Sequence, residues 1–358
     1  MLNALAMILA LVPSQPPGRP VFVLSRAEGE PVVGAIDRID GDGKLALVGD
    51  SPATILGADV VALRRRNMAL PPGPMGPHVV FANGDRLAGE VLAIEKGRVR
   101  FKAIIGRDPV PDGTQELDIP QSSLAIIWFQ SPPADINEEL TRQWTGERRR
   151  RDLVRLRNGD ERAGTVKEMK GPTAALVLQE EDGREAKLDS GLVVAIAMNT
   201  DLARTLRPRG PYARLVLVNG GRLSLLSPSA GSVALSAKTL FGAEIKVPLA
   251  DIVALDRRQG RAVYLSDLKP ATYEHRPYLS VRWPYEMDRS VAGNPMWLGG
   301  SNFDKGIGMH SDSHLTFDLN GQYRRFEAVV GLDDRTGSEG RVVVRVLLDG
   351  NARAIGFE

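Results

Sequence analysis

The chain of 358 residues contains no cysteine, which removes disulfides, thiolate nucleophiles, Cys-ligated zinc and iron–sulfur clusters at once. It has only four histidines, His78, His275, His310 and His314, and no HExxH pattern, so the commonest helical zinc site is missing. G-x-S-x-G and a phosphate-cradling glycine loop are also absent, which argues against a triad hydrolase and a nucleotide enzyme. Neither sign of charge dominates: 46 Lys and Arg against 44 Asp and Glu leave +2. Such a balance offers no broad field for a polyanion, and nucleic acid is not expected as a partner. Met1–Val12 (MLNALAMILALV) is too short to span a bilayer and no later apolar run has spanning length, so no integral membrane span is expected.

That first run has the length of a signal-peptide h-region. Its n-region carries no Lys or Arg, and VPSQPPGRP after it shows no small-x-small site, so a docked apolar helix is the alternative. The first reading implies a secreted or cell-envelope (periplasmic) protein.

What fills the next stretch is a repeat. AEGEPVVGAI (Ala27–Ile36), ANGDRLAGEV (Ala82–Val91), RNGDERAGTV (Arg157–Val166) and VNGGRLSLLS (Val218–Ser227) share one frame: strand, glycine turn, strand. Asn83-Gly84, Asn158-Gly159 and Asn219-Gly220 predict type I′ hairpins, which need positive φ at both central positions. Gly34, Gly89 and Gly164 recur at one frame position, where a missing side chain permits a bend or bulge; the fourth copy has Leu225 there. The copies also end alike, in a small or polar turn and a short β-branched strand. Four or five short strands per copy, without helical periodicity, suggest small β-barrels of SH3-like or Sm-like pattern, or else halves of β-sandwiches. MALPPGPMGP (Met68–Pro77) and RPRGPY (Arg207–Tyr212) read as hinges. Ala134–Arg151 predicts one amphipathic helix, with Ile136, Leu140 and Trp144 inward, Asp135 as N-cap, and Arg148–Arg151 as a solvated cationic end.

The last quarter reads differently. GGSNFDKGIGMHSDSHLTFDL (Gly299–Leu319) joins a polar, histidine-bearing loop to an alternating strand. Tyr323–Gly331 and Arg341–Leu348 predict two further strands, separated by Asp333-Asp334. This order of pieces, from Tyr264-Leu265-Ser266-Asp267-Leu268 through Asp349-Gly350, resembles the NPCBM domain. That domain is a carbohydrate-binding module found beside family 98 glycoside hydrolases and some galactosidases. The resemblance implies a galactose-binding-like jelly-roll β-sandwich with no catalytic role, and places His310 in the family's G-x-G-x-H pattern as Gly306-Ile307-Gly308-Met309-His310.

Sugars offer C–H faces to aromatic rings and hydroxyl groups to Arg, Asp, Asn and His. On that chemistry Arg282, Trp297, His310 and Asp333 form the candidate carbohydrate site, with Trp297 expected at the surface and Tyr264, Tyr323 and Phe326 in the core. Asp333-Asp334 is foremost a turn pair, with a structural calcium as the one cofactor considered. His310 and His314 would share a face of one strand, which makes a paired metal site conceivable.

The fold class expected is all-β: tandem small barrel-like repeats followed by an incomplete jelly-roll sandwich. The organisation is an apolar segment over 1–19, repeats over 20–67, 78–130, 152–205 and 213–260, a helical linker over 131–151, and an NPCBM-like module over 262–358. The module is taken as truncated, because such domains usually run several tens of residues further. Three functions fit: a non-catalytic binder of galactose-type glycans, a protein-interaction or envelope scaffold whose repeats hold protein partners, or the non-catalytic N-terminal part of a glycoside hydrolase.

Overall fold

The computed structural model describes residues 18–49, 52–106, 113–130, 134–278, 280–337, 340–349 and 351–353. Met1–Val12 therefore lies outside the described residues, as does the side chain of Asp135. The all-β expectation holds: apart from short 3₁₀ turns, one helix interrupts an otherwise β-built chain among the described residues.

Each repeat forms five strands. They are β1 (Val21–Arg26), β2 (Val32–Ile39), β3 (Leu45–Val48), β4 (Ala53–Ile55) and β5 (Val60–Arg65) in the first. The second has β6 (His78–Phe81), β7 (Arg86–Glu95), β8 (Arg98–Ile104), β9 (Thr114–Pro120) and β10 (Leu124–Trp128). The third has β11 (Asp152–Leu156), β12 (Glu161–Glu168), β13 (Leu176–Gln179), β14 (Glu185–Leu188) and β15 (Val193–Ala197). The fourth has β16 (Tyr212–Leu217), β17 (Arg222–Ala230), β18 (Ala234–Thr239), β19 (Glu244–Pro248) and β20 (Ile252–Arg258). In every copy the first strand pairs with both the second and the fifth, and a 3₁₀ turn precedes the fifth.

The Asn-Gly turns form hairpins, but not type I′ ones. Only the glycine has positive φ, at 84° for Gly84, 90° for Gly159 and 84° for Gly220. Gly84 N–H donates to Phe81 O at 2.9 Å and Phe81 N–H to Asp85 O at 2.8 Å. That is a type I turn followed by a left-handed glycine, the three-residue hairpin. The asparagine stays right-handed because its side chain does the turning: Asn83 Oδ1 accepts from Asp85 N at 3.1 Å, and Asn158 and Asn219 repeat the contact.

The frame glycines are required by crowding. A Cβ on Gly89 would sit 2.2 Å from Lys102 O, and one on Gly164 2.6 Å from Gln179 O. All four second strands bulge just beyond this position. In the fourth copy, where Leu225 replaces glycine, the bulge between Leu226 and Ser229 puts Ser227 at φ 46°.

The repeats associate in a nested order, first with fourth and second with third. Equivalent strands meet antiparallel: β5 pairs β20 with Leu63 opposite Leu255, and β10 pairs β15 with Ile127 opposite Ile196. A second contact follows the same local two-fold, Ile39 opposite Ala230 and Ile94 opposite Met169. Each of these four residues lies five past its frame position. A ladder between β7 and β17 joins the two halves. One continuous core, including Phe22, Leu63, Phe101, Ile127, Val154, Leu178, Leu215 and Val247, runs through all four copies.

The predicted helix is α1 (Ala134–Gly146). It covers the outside of the second and third repeats through Trp144, 2% exposed, whose ring stacks on Trp128 at 5.4 Å. Asn137, Thr141 and Trp144 face inward, whereas Ile136 is 45% exposed. The i, i+4, i+7 stripe therefore starts one residue later than the apolar pattern suggested. Arg148 and Arg151 pair with Asp201 and Glu181 at 2.8 Å each.

Beyond residue 261 the strands are short and pair two by two. They are β21 (Thr272–His275), β22 (Glu286–Met287), β23 (Met296–Leu298), β24 (Ser301–Phe303), β25 (Ile307–Gly308), β26 (Ser313–Thr316), β27 (Val346–Leu348) and β28 (Asn351–Arg353). The pairs are β21–β26, β22–β25, β23–β24 and β27–β28. Tyr323–Gly331, expected as a strand, has no ladder partner, and only Val346–Leu348 of the next expected strand is paired. Nothing among the described residues covers their apolar side chains: Phe326 is 52%, Val329 69% and Val343 77% exposed. Tyr323 and Phe326 are thus surface residues, not core.

Candidate functional site

The C-terminal segment is fastened to the repeats before it builds a site. The Tyr264 hydroxyl donates to Asp256 Oδ2 at 3.4 Å while the Arg258 guanidinium lies 4.1 Å above its ring. Tyr264, expected in a sandwich core, is instead part of this junction. Arg261 pairs with Glu28 and Asp59.

From there β21 and β26 set a register that decides the site. Tyr273 lies opposite Leu315 and His275 opposite Ser313. The His275 ring comes 5.9 Å from that of His310, and Trp283 lies 5.0 Å from His310 at an interplanar angle of 31°. Hydrogen bonds hold the tryptophan's backbone from two sides. Trp283 N–H donates to His275 Nδ1 at 3.2 Å, and the Tyr273 hydroxyl donates to Trp283 O at 2.8 Å. Tyr285 closes the group with its edge against Tyr273 at 5.0 Å. The Trp283 indole remains 44% exposed. A fixed, half-open aromatic face beside imidazole nitrogens can stack on an apolar ring face and hydrogen-bond to its substituents.

The G-x-G-x-H pattern acts here as a backbone device that delivers His310. A Cβ on Gly308 would sit 2.4 Å from both Arg289 O and Val291 N, so the chain passes closer to its neighbour than any side chain allows. His314 is exposed on β26, and the histidine whose ring meets His310 is His275.

The remaining sequence-derived residues divide between places. Arg282 is exposed next to Trp283. Trp297, expected at the surface, is half-buried in β23 and less open than Trp283. Its loop is held by the Asp334 carboxylate, which accepts from Gly299 N at 2.9 Å and Gly300 N at 2.8 Å. Asp333 Oδ1 accepts from Arg335 N at 3.0 Å and caps the following turn. Among the described residues no hydrogen bond or ring contact links the Trp297–Asp333 group with the Trp283–His310 group. No set of three His, Asp or Glu among the described residues is placed to hold a metal.

Residues 261–355 match the family model of the NPCBM/NEW2 domain. The matched segment contains both groups above, and NPCBM is a carbohydrate-binding module. The chain is also similar to a protein of Renibacterium salmoninarum provisionally named endo-alpha-N-acetylgalactosaminidase, at 40% identity over 60 residues. That stretch is 17% of this chain and 4% of the relative. No solved structure matches the chain.

Sequence reasoning included His310 and Arg282 but passed over Trp283 and His275. The available signal was the spacing from His275-Arg276-Pro277 to Val281-Arg282-Trp283-Pro284. It becomes a contact only through the β21–β26 register, which no local pattern announces.

Proposed function

We propose that the chain is a non-catalytic carbohydrate-binding protein of the cell exterior or envelope, and that its C-terminal segment takes galactose-type glycans at Trp283, His275 and His310. The observation that carries this reading is the 44% exposed Trp283 indole, held rigidly beside two imidazoles inside a segment that matches a carbohydrate-binding module. Trp283 offers the stacking face, His310 and His275 offer ring nitrogens to sugar hydroxyls, and Arg282 stands at the rim. Trp297 and Asp333 make a second group that can extend contact to a longer glycan. The galactose preference draws on the relative's name alone. In this reading the repeats are SH3-like barrels that serve as a platform.

A glycan array probed with the full chain tests the proposal. Retention on galactose- or N-acetylgalactosamine-terminated oligosaccharides, lost in Trp283→Ala, is the expected result; no retention on any glycan overturns it. A scaffold that binds protein instead is favoured by the exposed Phe326, Val329 and Val343. That reading predicts a chain indifferent to every sugar.

A further inference from the structure

We infer that Arg222 is a positioning residue for the proposed sugar site: from the fourth repeat it clamps the loop that carries His310, so the C-terminal segment is not an independent tethered module. This rests on the sugar-binding reading above. Arg222 opens β17 and is 6% exposed. A guanidinium has five N–H donors, and each of the five has an acceptor. Nε donates to Asp304 Oδ2 at 2.8 Å, Nη1 to Gly220 O at 2.7 Å and Pro72 O at 3.2 Å, and Nη2 to Pro71 O at 2.7 Å and Asn302 Oδ1 at 3.4 Å. One buried cation thus joins the hairpin of the fourth repeat, the Pro-rich connection after the first, and the Asn302–Asp304 strand end.

The electrostatics favour a charged clamp. Burial pushes the Asp304 carboxyl up, but the charge and hydrogen bond of Arg222, with Arg214 and Arg258 nearby, outweigh it and hold the group below the usual carboxylate value. The next residues continue the anchoring. Lys305 Nζ pairs with Asp267 and Asp288, Asp288 N–H donates to Gly306 O at 2.8 Å, and Gly308 is wedged against Arg289–Val291. From Asp304 to His310 the backbone has little freedom, so a displacement at Asp304 is transmitted to the imidazole beside Trp283.

The test uses the full chain with Arg222→Met, Arg222→Lys and Asp304→Asn. Asp304→Asn leaves the four carbonyl and amide contacts of Arg222 in place and serves as the variant whose repeats stay folded. Hydrogen exchange of peptides spanning 302–310 and affinity for galactose-terminated oligosaccharides are measured, with exchange in β16 and β20 as the folding control. In Asp304→Asn and Arg222→Met, amides of 302–310 should exchange at least tenfold faster while β16 and β20 are unchanged, and glycan affinity should fall about tenfold. Arg222→Lys, which keeps the charge, should recover part of both. Unchanged exchange over 302–310 in Asp304→Asn overturns the clamp, whatever the sugar result. Faster exchange with unaltered glycan affinity overturns the positioning role. A parent chain that binds no glycan, with variants that still loosen the loop, removes the sugar-binding reading and leaves the clamp standing.

Discussion

Arg86 and Arg222 are register partners in the ladder between β7 and β17, and each reaches away from the sheet to grip a different appended element. Arg86 Nη2 donates to Glu138 Oε2 of α1 at 3.1 Å, while Arg222 holds Asp304 of the C-terminal segment. Both occupy the third position before the frame residue of their repeats, Gly89 and Leu225. Equivalent positions of the second and fourth repeats thus carry two cationic arms, which attach a helix on one side and the proposed binding segment on the other.

Trp283→Ala should weaken glycan binding by roughly 1 to 3 kcal/mol, about five- to 150-fold, without lowering the melting temperature, since the residue is at the surface. Isothermal titration alongside a thermal melt checks both parts. A fall in melting temperature with unaltered affinity would mark the residue as packing.

His78 makes stability depend on pH. Its ring is 1% exposed, stacked on Trp128 at 6.0 Å, and burial lowers its pKa from 6.5 to about 4. A histidine depressed in the folded state binds its proton more readily when unfolded. Stability is therefore full above about pH 6.5, falls as pH drops toward 4, and loses up to about 3 kcal/mol. Urea melts of the parent and His78→Gln between these limits should show a slope that the variant lacks.

Asp85 is 4% exposed and accepts from Arg214, from Ser224 N at 2.8 Å and from Ser224 Oγ at 3.0 Å, across the contact of the second and fourth repeats. Arg214 is largely buried, its side chain 18% exposed, and burial lowers its pKa to about 10. Asp85→Ala strands that guanidinium, and a cost of about 3 to 5 kcal/mol is expected in chemical denaturation. Asp85→Ala with Arg214→Met should recover much of the loss, because an apolar pair leaves no charge buried.

Gly89→Ala and Gly159→Ala separate crowding from backbone strain. Both glycines have positive φ, but a Cβ on Gly89 meets Lys102 O at 2.2 Å whereas Gly159 has nothing within 4 Å. Gly159→Ala should cost about 1 kcal/mol and Gly89→Ala about 3 or more, read from denaturation midpoints.

Much of the repeat architecture was legible in the chain. Asn-Gly dipeptides marked three hairpins and Gly89 and Gly164 marked bulges, because turns and close backbone approaches admit few residue types. The turn type was not legible, since the Asn83 side chain competes for the turn and removes the need for positive φ at asparagine. The partners of the repeats were also hidden: β5, β10, β15 and β20 present similar β-branched faces, and nothing local says which pair will meet. Of the candidate site, His310 could be read from its glycines. Trp283 and His275 could not, being separated in sequence and joined by one strand register.

By itself, the sequence determined the strands of the repeats, the places of their turns, the helix and the carbohydrate-module family of the last quarter, because these follow from local conformational preference and residue order. Tertiary structure alone decided that the first repeat pairs with the fourth and that Arg222 reaches Asp304. It also decided that Trp283, and not Trp297, carries the more open indole. Those outcomes depend on how apolar faces and buried charges from distant parts of the chain are satisfied together, and that balance is struck only when the whole chain is packed.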